Sequence, residues 1–163
     1  MDELEKGLSV SLQGSAADSA AQKALAQIAD WGLVMPKIAP LVLDFGLGSF
    51  RETGEIEFWI ANETEAGYCG KFLFVLAGQT CPTHCHKEKL ETFYVVKGTM
   101  RVYYDGQTRN LQAGDTLRVE TGKMHSFTGI GSALLLEVSR PSIVDDNYFE
   151  NPDIPIGGNC RAR

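Results

Sequence analysis

A chain of 163 residues, 44% hydrophobic and 22% charged, has the size and composition of one globular domain whose core needs no covalent staples. Its formal net charge of −6 excludes nucleic acid and anionic membrane surfaces as the main partners, because both select basic patches. Four cysteines, at 69, 81, 85 and 160, are not spaced as a small disulfide scaffold and read as free thiols.

The opening MDELEKGLSV is acidic where a signal peptide needs a basic start and an apolar centre, and runs such as KFLFVLAG are too short to span a bilayer. The expectation is a cytoplasmic protein. From about 18 to 31, Ala24, Ile28 and Trp31 recur near helical spacing, with Asp18 or Ser19 as the cap and Gly32 as the stop. MPKIAP then forms a linker. Residues 1–40 are therefore read as a helical segment packing on the core, and residues 41–163 as the main domain with a C-terminal coil.

Beyond residue 41 the pattern changes to short strand-like runs punctuated by glycine: EIEFWIAN, YCGKFLFVLAG, ETFYVVKG, TMRVYYDG, TLRVETG, HSFTGIG and ALLLEVS. Asp105-Gly106 between MRVYY and QTRNL is a hairpin signal. Many short strands without intervening helices imply an all-β fold, an antiparallel sandwich or barrel. The Asp-Asn-Pro-Gly-rich tail after Ser139 reads as coil.

All three histidines of the chain fall in two short stretches. His84 and His86, two apart, project from one strand face, and Cys85 from the other. Glu91 opens the next strand, sharing its face with Phe93 and Val95, and His125 lies on a later strand. Three imidazoles and a carboxylate suit a divalent first-row metal and leave two positions of an octahedral shell open for chemistry. A closed structural zinc site would be richer in cysteine. Alternation turns Cys81 and Cys85 away from the shared face, so both are read as packing residues.

Two further residues are candidates for proton transfer, since histidines engaged with a metal cannot serve as a base. Lys89, two before Glu91, points to the same side if the strand geometry continues, and a cation beside it would lower its pKa. The alternative is a solvated lysine in KEKLE. Glu137 interrupts the apolar run ALLLEVS, and faces either the interior or solvent. Arg101, Tyr103, Lys123 and Asp146 are weaker candidates for contacts to a polar ligand, and the segment 145–147 is a candidate cover over the site.

The spacing Gly78-x5-His84-x-His86-x4-Glu91-x6-Gly98, followed by Gly114-x5-Glu120-x-Gly122-x2-His125, resembles the two signatures of the cupin superfamily. Glu120 stands where that family usually has proline, and Gly129 where it has asparagine; neither position ligates metal. The resemblance implies a cupin-type double-stranded β-helix, or jelly-roll, with the metal inside.

A narrower resemblance, carried by EAGYCGKFLFVLAGQTCPTHCHKEKLETF and EVSRPSIVDDNYFENP, is to the cupin-type D-lyxose isomerases of carbohydrate metabolism. That family has a lysine two residues before the metal-binding glutamate and a glutamate about a dozen residues past the last histidine, as Lys89 and Glu137 stand here. The resemblance implies an aldose–ketose isomerase of D-lyxose/D-xylulose type with a small sugar substrate. It also implies a divalent metal, typically Mn2+, although the ligand set equally suits Zn2+, Fe2+, Co2+ or Ni2+. The rivals are an Fe(II)-dependent cupin dioxygenase and a non-catalytic metal- or sugar-binding cupin. A homodimer is expected, because exposed strand edges of small barrels often pair.

Overall fold

The computed structural model describes residues 2–159, so Cys160 lies outside the described residues. Two helices, α1 (Glu3–Leu8) and α2 (Gly14–Asp30), precede β1 (Leu41–Leu43), β2 (Glu55–Glu63), β3 (Tyr68–Val75) and β4 (Thr80–Cys85). There follow β5 (Glu91–Lys97), β6 (Thr99–Tyr104), β7 (Gln107–Gln112), β8 (Thr116–Val119), β9 (His125–Gly129) and β10 (Ala133–Ser139). A 3-10 turn (Val144–Asp146), β11 (Tyr148–Phe149) and β12 (Gly158–Asn159) complete the chain. The strands form two six-stranded sheets, ordered β1-β2-β3-β10-β5-β8 and β12-β11-β4-β9-β6-β7, in the expected all-β jelly-roll. No described helix is long and apolar enough to cross a membrane.

One apolar cluster fills the space between the sheets, with Leu73, Val75, Phe93, Val95, Met100 and Phe127 among its members. A second lies outside the first sheet. There Ala20, Ala24 and Ile28 of α2 pack on Val42, Ile56, Phe58, Phe74 and Leu134. The helix thus covers a sheet face that would otherwise expose aromatic side chains to water.

The helix is longer than its apolar spacing implies. It begins at Gly14, not near 18, and its cap is Gln13, whose side chain makes no capping bond, rather than Asp18 or Ser19. The end matches expectation, with Gly32 in the left-handed region at φ 73°. The short α1 escapes periodicity altogether, yet it has a reciprocal capping box: Asp2 accepts the Glu5 N–H at 2.8 Å, and Glu5 accepts the Asp2 N–H at 3.1 Å.

Turn chemistry places the remaining strands. Asp105 (φ 48°) and Gly106 (φ 85°) both take positive φ, as a two-residue hairpin turn with primed twist requires, and Tyr104 pairs with Gln107 across it. The departure at Gly129 also has a cause: a β-carbon there would lie 2.5 Å from the carbonyl oxygens of both Leu76 and Gly131.

The pairing of β4 with β9 corrects one expectation. Cys81 opposes Phe127 and His84 opposes His125, so β4 spends one residue more than β9 between these pairs. This bulge resets the alternation. Cys81 therefore faces the interior, 2% exposed and in the same apolar cluster as Phe93 and Phe127, rather than away from the site.

Candidate metal centre and active site

The three imidazoles converge because three elements meet at one end of the barrel. His84 ends β4, His86 follows it, and His125 opens β9 opposite His84. Their ligand atoms lie within 4.8 Å of one another, and all three rings are buried. Each ring donates its Nδ1 proton to a backbone carbonyl: His84 to Pro82 at 2.7 Å, His86 to Asp146 at 3.1 Å and His125 to Lys123 at 3.0 Å. Such partners fix the tautomer and leave the Nε2 lone pairs free for a ligand. Burial, more than any neighbour, pushes the His84 pKa well down, and it lowers that of His86, which favours the neutral rings a metal needs.

Glu91, opening β5, completes the cluster. Its Oε1 lies 2.9 Å from His125 Nε2 and 3.4 Å from His86 Nε2, while Oε2 lies 2.7 Å from the Lys89 ammonium. Burial opposes ionisation of Glu91, but neighbouring charge, the Lys89 ammonium foremost, outweighs it and holds the carboxyl well below the usual range.

These distances test whether the residues fit a cation. With the Nδ1 protons committed, neutral Nε2 atoms are acceptors, and so is Glu91 Oε1. None of His86 Nε2, His125 Nε2 and Glu91 Oε1 has a hydrogen-bond partner among the described residues. Buried acceptors about 3 Å apart repel unless a cation lies between them, and about 3 Å is the edge of an octahedron with bonds of about 2.1 Å. The donor set fits a divalent metal.

Beside the cluster stands a connected row of charges. Lys89 Nζ lies 3.0 Å from Glu137 Oε1, Lys71 Nζ lies 3.6 Å from Glu137 Oε2, and Lys71 also pairs with Glu57 Oε1 at 2.6 Å. Ser139 Oγ donates to Glu137 at 2.8 Å. Lys89 and Glu137 are 6% and 2% exposed, so both point into the interior rather than to solvent. Register explains this: on β10 the inward series Ala133, Leu135, Glu137 alternates with Leu134, Leu136 and the exposed Val138.

The expected lowering of the Lys89 pKa is reversed. Burial lowers it, but Glu137 and Glu91 together outweigh burial and raise it, so the side chain stays an ammonium. Among the protein's own groups, Lys89 is therefore a cation and a hydrogen-bond donor.

Glu55, Glu57 and Lys71 escaped sequence reasoning, although charged residues in apolar strands were a usable signal. Glu55 and Glu57 stand two apart in EIEF, and Lys71 interrupts GKFLFV. All three are buried and line the same cavity, about 70 Å³ in volume, as His84, Lys89 and Glu137. Burial, reinforced by Glu57, raises the Glu55 carboxyl to about 8.

Of the weaker candidates, Arg101 is exposed, Tyr103 half-buried, and Lys123 pairs at the surface with Asp105 at 2.7 Å. Asp146 is the informative one. Its carboxylate accepts the backbone N–H groups of Lys87 at 2.9 Å, Glu88 at 3.2 and 3.1 Å, and Lys89 at 2.9 Å, while its carbonyl accepts from His86. It clasps the loop that joins His86 to Glu91. The turn that carries it is itself held by α1, through Glu3 to the Val144 N–H at 2.5 Å and Lys6 to Asp145 at 2.7 Å. Of the segment 145–147, Asn147 lines the cavity, as does Val144 just before it.

Replacing Asp146 by Ala leaves three backbone donors unpaired. The expected cost is about 2–4 kcal/mol of stability and at least tenfold in metal affinity. Thermal melts and metal titrations read both, and wild-type metal affinity in the variant would remove Asp146 from the support of the site.

Known proteins resemble this chain in sequence and in fold. The family model described as "Cupin domain" matches residues 71–139, a span that holds His84, His86, Lys89, Glu91, His125 and Glu137. The D-lyxose/D-mannose isomerase of Thermosediminibacter oceani is 30% identical over 141 residues, covering 69% of this chain and 77% of that protein. The quercetin 2,3-dioxygenase of Bacillus subtilis is 30% identical over 115 residues, 68% of this chain, and this chain spans 34% of its length. In fold, the L-ribose isomerase of Geodermatophilus obscurus matches with a TM-score of 0.72 at 18% identity, over 89% of this chain and 95% of that one. The chain belongs to the cupin family and, within it, to the cupin-type sugar isomerases.

Proposed function

We propose that the protein is a divalent-metal-dependent aldose–ketose isomerase acting on a small sugar of the D-lyxose/D-xylulose type, with His84, His86, Glu91 and His125 as metal ligands. The observation that carries the reading is the placement of Glu137, a carboxylate held between two ammonium groups in the cavity that His84 and Glu91 also line. Isomerisation moves one proton between adjacent carbons and another between their oxygens. When bound, a divalent ion such as Mn2+ would supply a Lewis acid that polarises the carbonyl and so acidifies the C–H of the adjacent hydroxyl-bearing carbon.

The side chains of the chain divide the remaining work. Glu137 takes the carbon-bound proton from one carbon and returns it to the next. Ser139 and Lys89 fix the orientation of its Oε1, and Lys71 steadies Oε2. Lys89, kept positive, lies where it can stabilise charge developing on a substrate oxygen and donate to it. The 144–147 turn and α1 limit the access of water to the cavity.

The similarity to a dioxygenase keeps a second reading in view, since three histidines and a glutamate also suit Fe(II). The cavity favours the sugar. Five buried charged side chains in its lining, Glu55, Glu57, Lys71, Lys89 and Glu137, suit a polyol better than a large flat aromatic.

The test is to reconstitute metal-stripped protein with Mn2+ and incubate it anaerobically with pentoses and hexoses in deuterated water. Ketose formation with deuterium at the exchanged carbon is expected. Absence of any ketose, or oxygen consumption with a phenolic substrate instead, would overturn the reading.

A further inference from the structure

Strand β2 contributes a charged wall that the proton transfer described above leaves unused. Glu55, Glu57 and Trp59 line the cavity, whereas the intervening Ile56 and Phe58 pack under α2. This inverts the usual expectation for a strand between a helix and a barrel interior, and it gives the cavity polar walls far from the histidines in sequence.

Glu57 is fully engaged. Its Oε1 takes the Lys71 ammonium at 2.6 Å, and its Oε2 takes the indole N–H of Trp59 at 2.6 Å. Glu55 is not. It is 5% exposed, it opposes the apolar Leu43 on β1, and its Oε2 has no hydrogen-bond partner among the described residues. A polar atom so deeply buried is costly unless something in the cavity completes it. Glu57, Lys71 and Glu137 form an unbroken chain of ion pairs from this wall to the base, at 2.6 and 3.6 Å.

A linear sugar held by its first two oxygens at the histidine end must lay the rest of its carbon chain along the remaining wall. We propose that Glu55 is a specificity-determining residue that binds a hydroxyl at the end of the sugar remote from the metal, with Glu57 and Lys71 as its rigid frame. The proposal rests on the isomerase reading for the class of ligand. Burial holds the Glu55 carboxyl near 8, so at neutral pH it both donates and accepts, which is what a hydroxyl partner requires. A site built to hydrogen-bond a hydroxyl rejects an analogue that lacks it, because its buried polar group is then left unpaired.

The experiment measures binding, not turnover. Mn2+-loaded wild type, E55Q and E55L are titrated calorimetrically with a pentitol and with its 5-deoxy analogue, with metal content checked in each. The wild type should prefer the full pentitol by about tenfold or more, E55L should bind the two equally, and E55Q, which preserves shape, should show a reduced preference. An undiminished preference in E55Q and E55L, or none in the wild type, overturns the proposal. Preference abolished in E55L together with no ketose from any aldose would support this site while refuting the isomerase reading. Ketose formation with a preference insensitive to residue 55 would do the reverse.

Discussion

Glu137→Gln is expected to lower turnover on the order of 10³-fold while metal content and fold are kept. The magnitude follows from removing a positioned general base, which is worth roughly 10²–10⁴-fold. Retention of the fold follows from the ion-pair network. Without the Glu137 charge, Lys89 still has Glu91 at 2.7 Å and Lys71 still has Glu57 at 2.6 Å, so neither ammonium is left buried alone. The amide of glutamine can also keep the Ser139 contact, which is 2.8 Å in the wild type. Three measurements decide the matter together: steady-state rate, bound metal by elemental analysis, and solvent deuterium exchange into unreacted sugar. Exchange should fall in parallel with the rate, because both need the same proton removal. A variant with near-normal turnover, or one that exchanges deuterium normally but forms no ketose, would deny Glu137 the role of base.

The ligand cluster was the most legible part of the molecule, and the reason is physical. His84 and His86 obey the period of a strand, Glu91 begins the next one, and histidine is scarce enough in this chain that spacing alone isolates the set. Orientation on β10 was legible only as two alternatives, because Glu137 could be resolved only by knowing that Lys89 and Lys71 stand beside it, 48 and 66 residues away in the chain. The inward face of Cys81 depends on a bulge set by pairing with β9, and a local alternation rule has no access to that. Without a metal, the pKa of Lys89 follows two carboxylates, and one of them, Glu137, comes from a strand 48 residues further on, where a local rule has no access. The wall on β2 was written plainly in EIEF. It was passed over because alternating charge in a strand ordinarily marks a solvent face, whereas here solvent is replaced by a cavity and the opposite face is covered by α2.

Stripping the divalent ion should abolish turnover and lower the melting temperature by about 5–10 °C, with both restored by Mn2+. The expected shift comes from mass action. An ion present at about 100 times its dissociation constant stabilises the native state by about 2.7 kcal/mol, and each kcal/mol moves the midpoint by about 2–4 °C at this chain length. The local reason is that His86 Nε2, His125 Nε2 and Glu91 Oε1 are buried acceptors at 2.9 and 3.4 Å with no donor of their own. An ion relieves this repulsion in the folded protein alone, since the unfolded chain has no such cluster. His125→Ala separates the ion from the rest of the fold. That ring is fully buried but lies at the start of β9, and its loss should cut metal affinity strongly while the sheet pairing of Cys81 with Phe127 and of Tyr103 with Ser126 persists. The variant should therefore melt near the temperature of the stripped wild type and gain little from added Mn2+. A wild-type melting curve indifferent to chelator, coupled with no stoichiometric metal in the purified protein, would mean that some other charge settles the cluster.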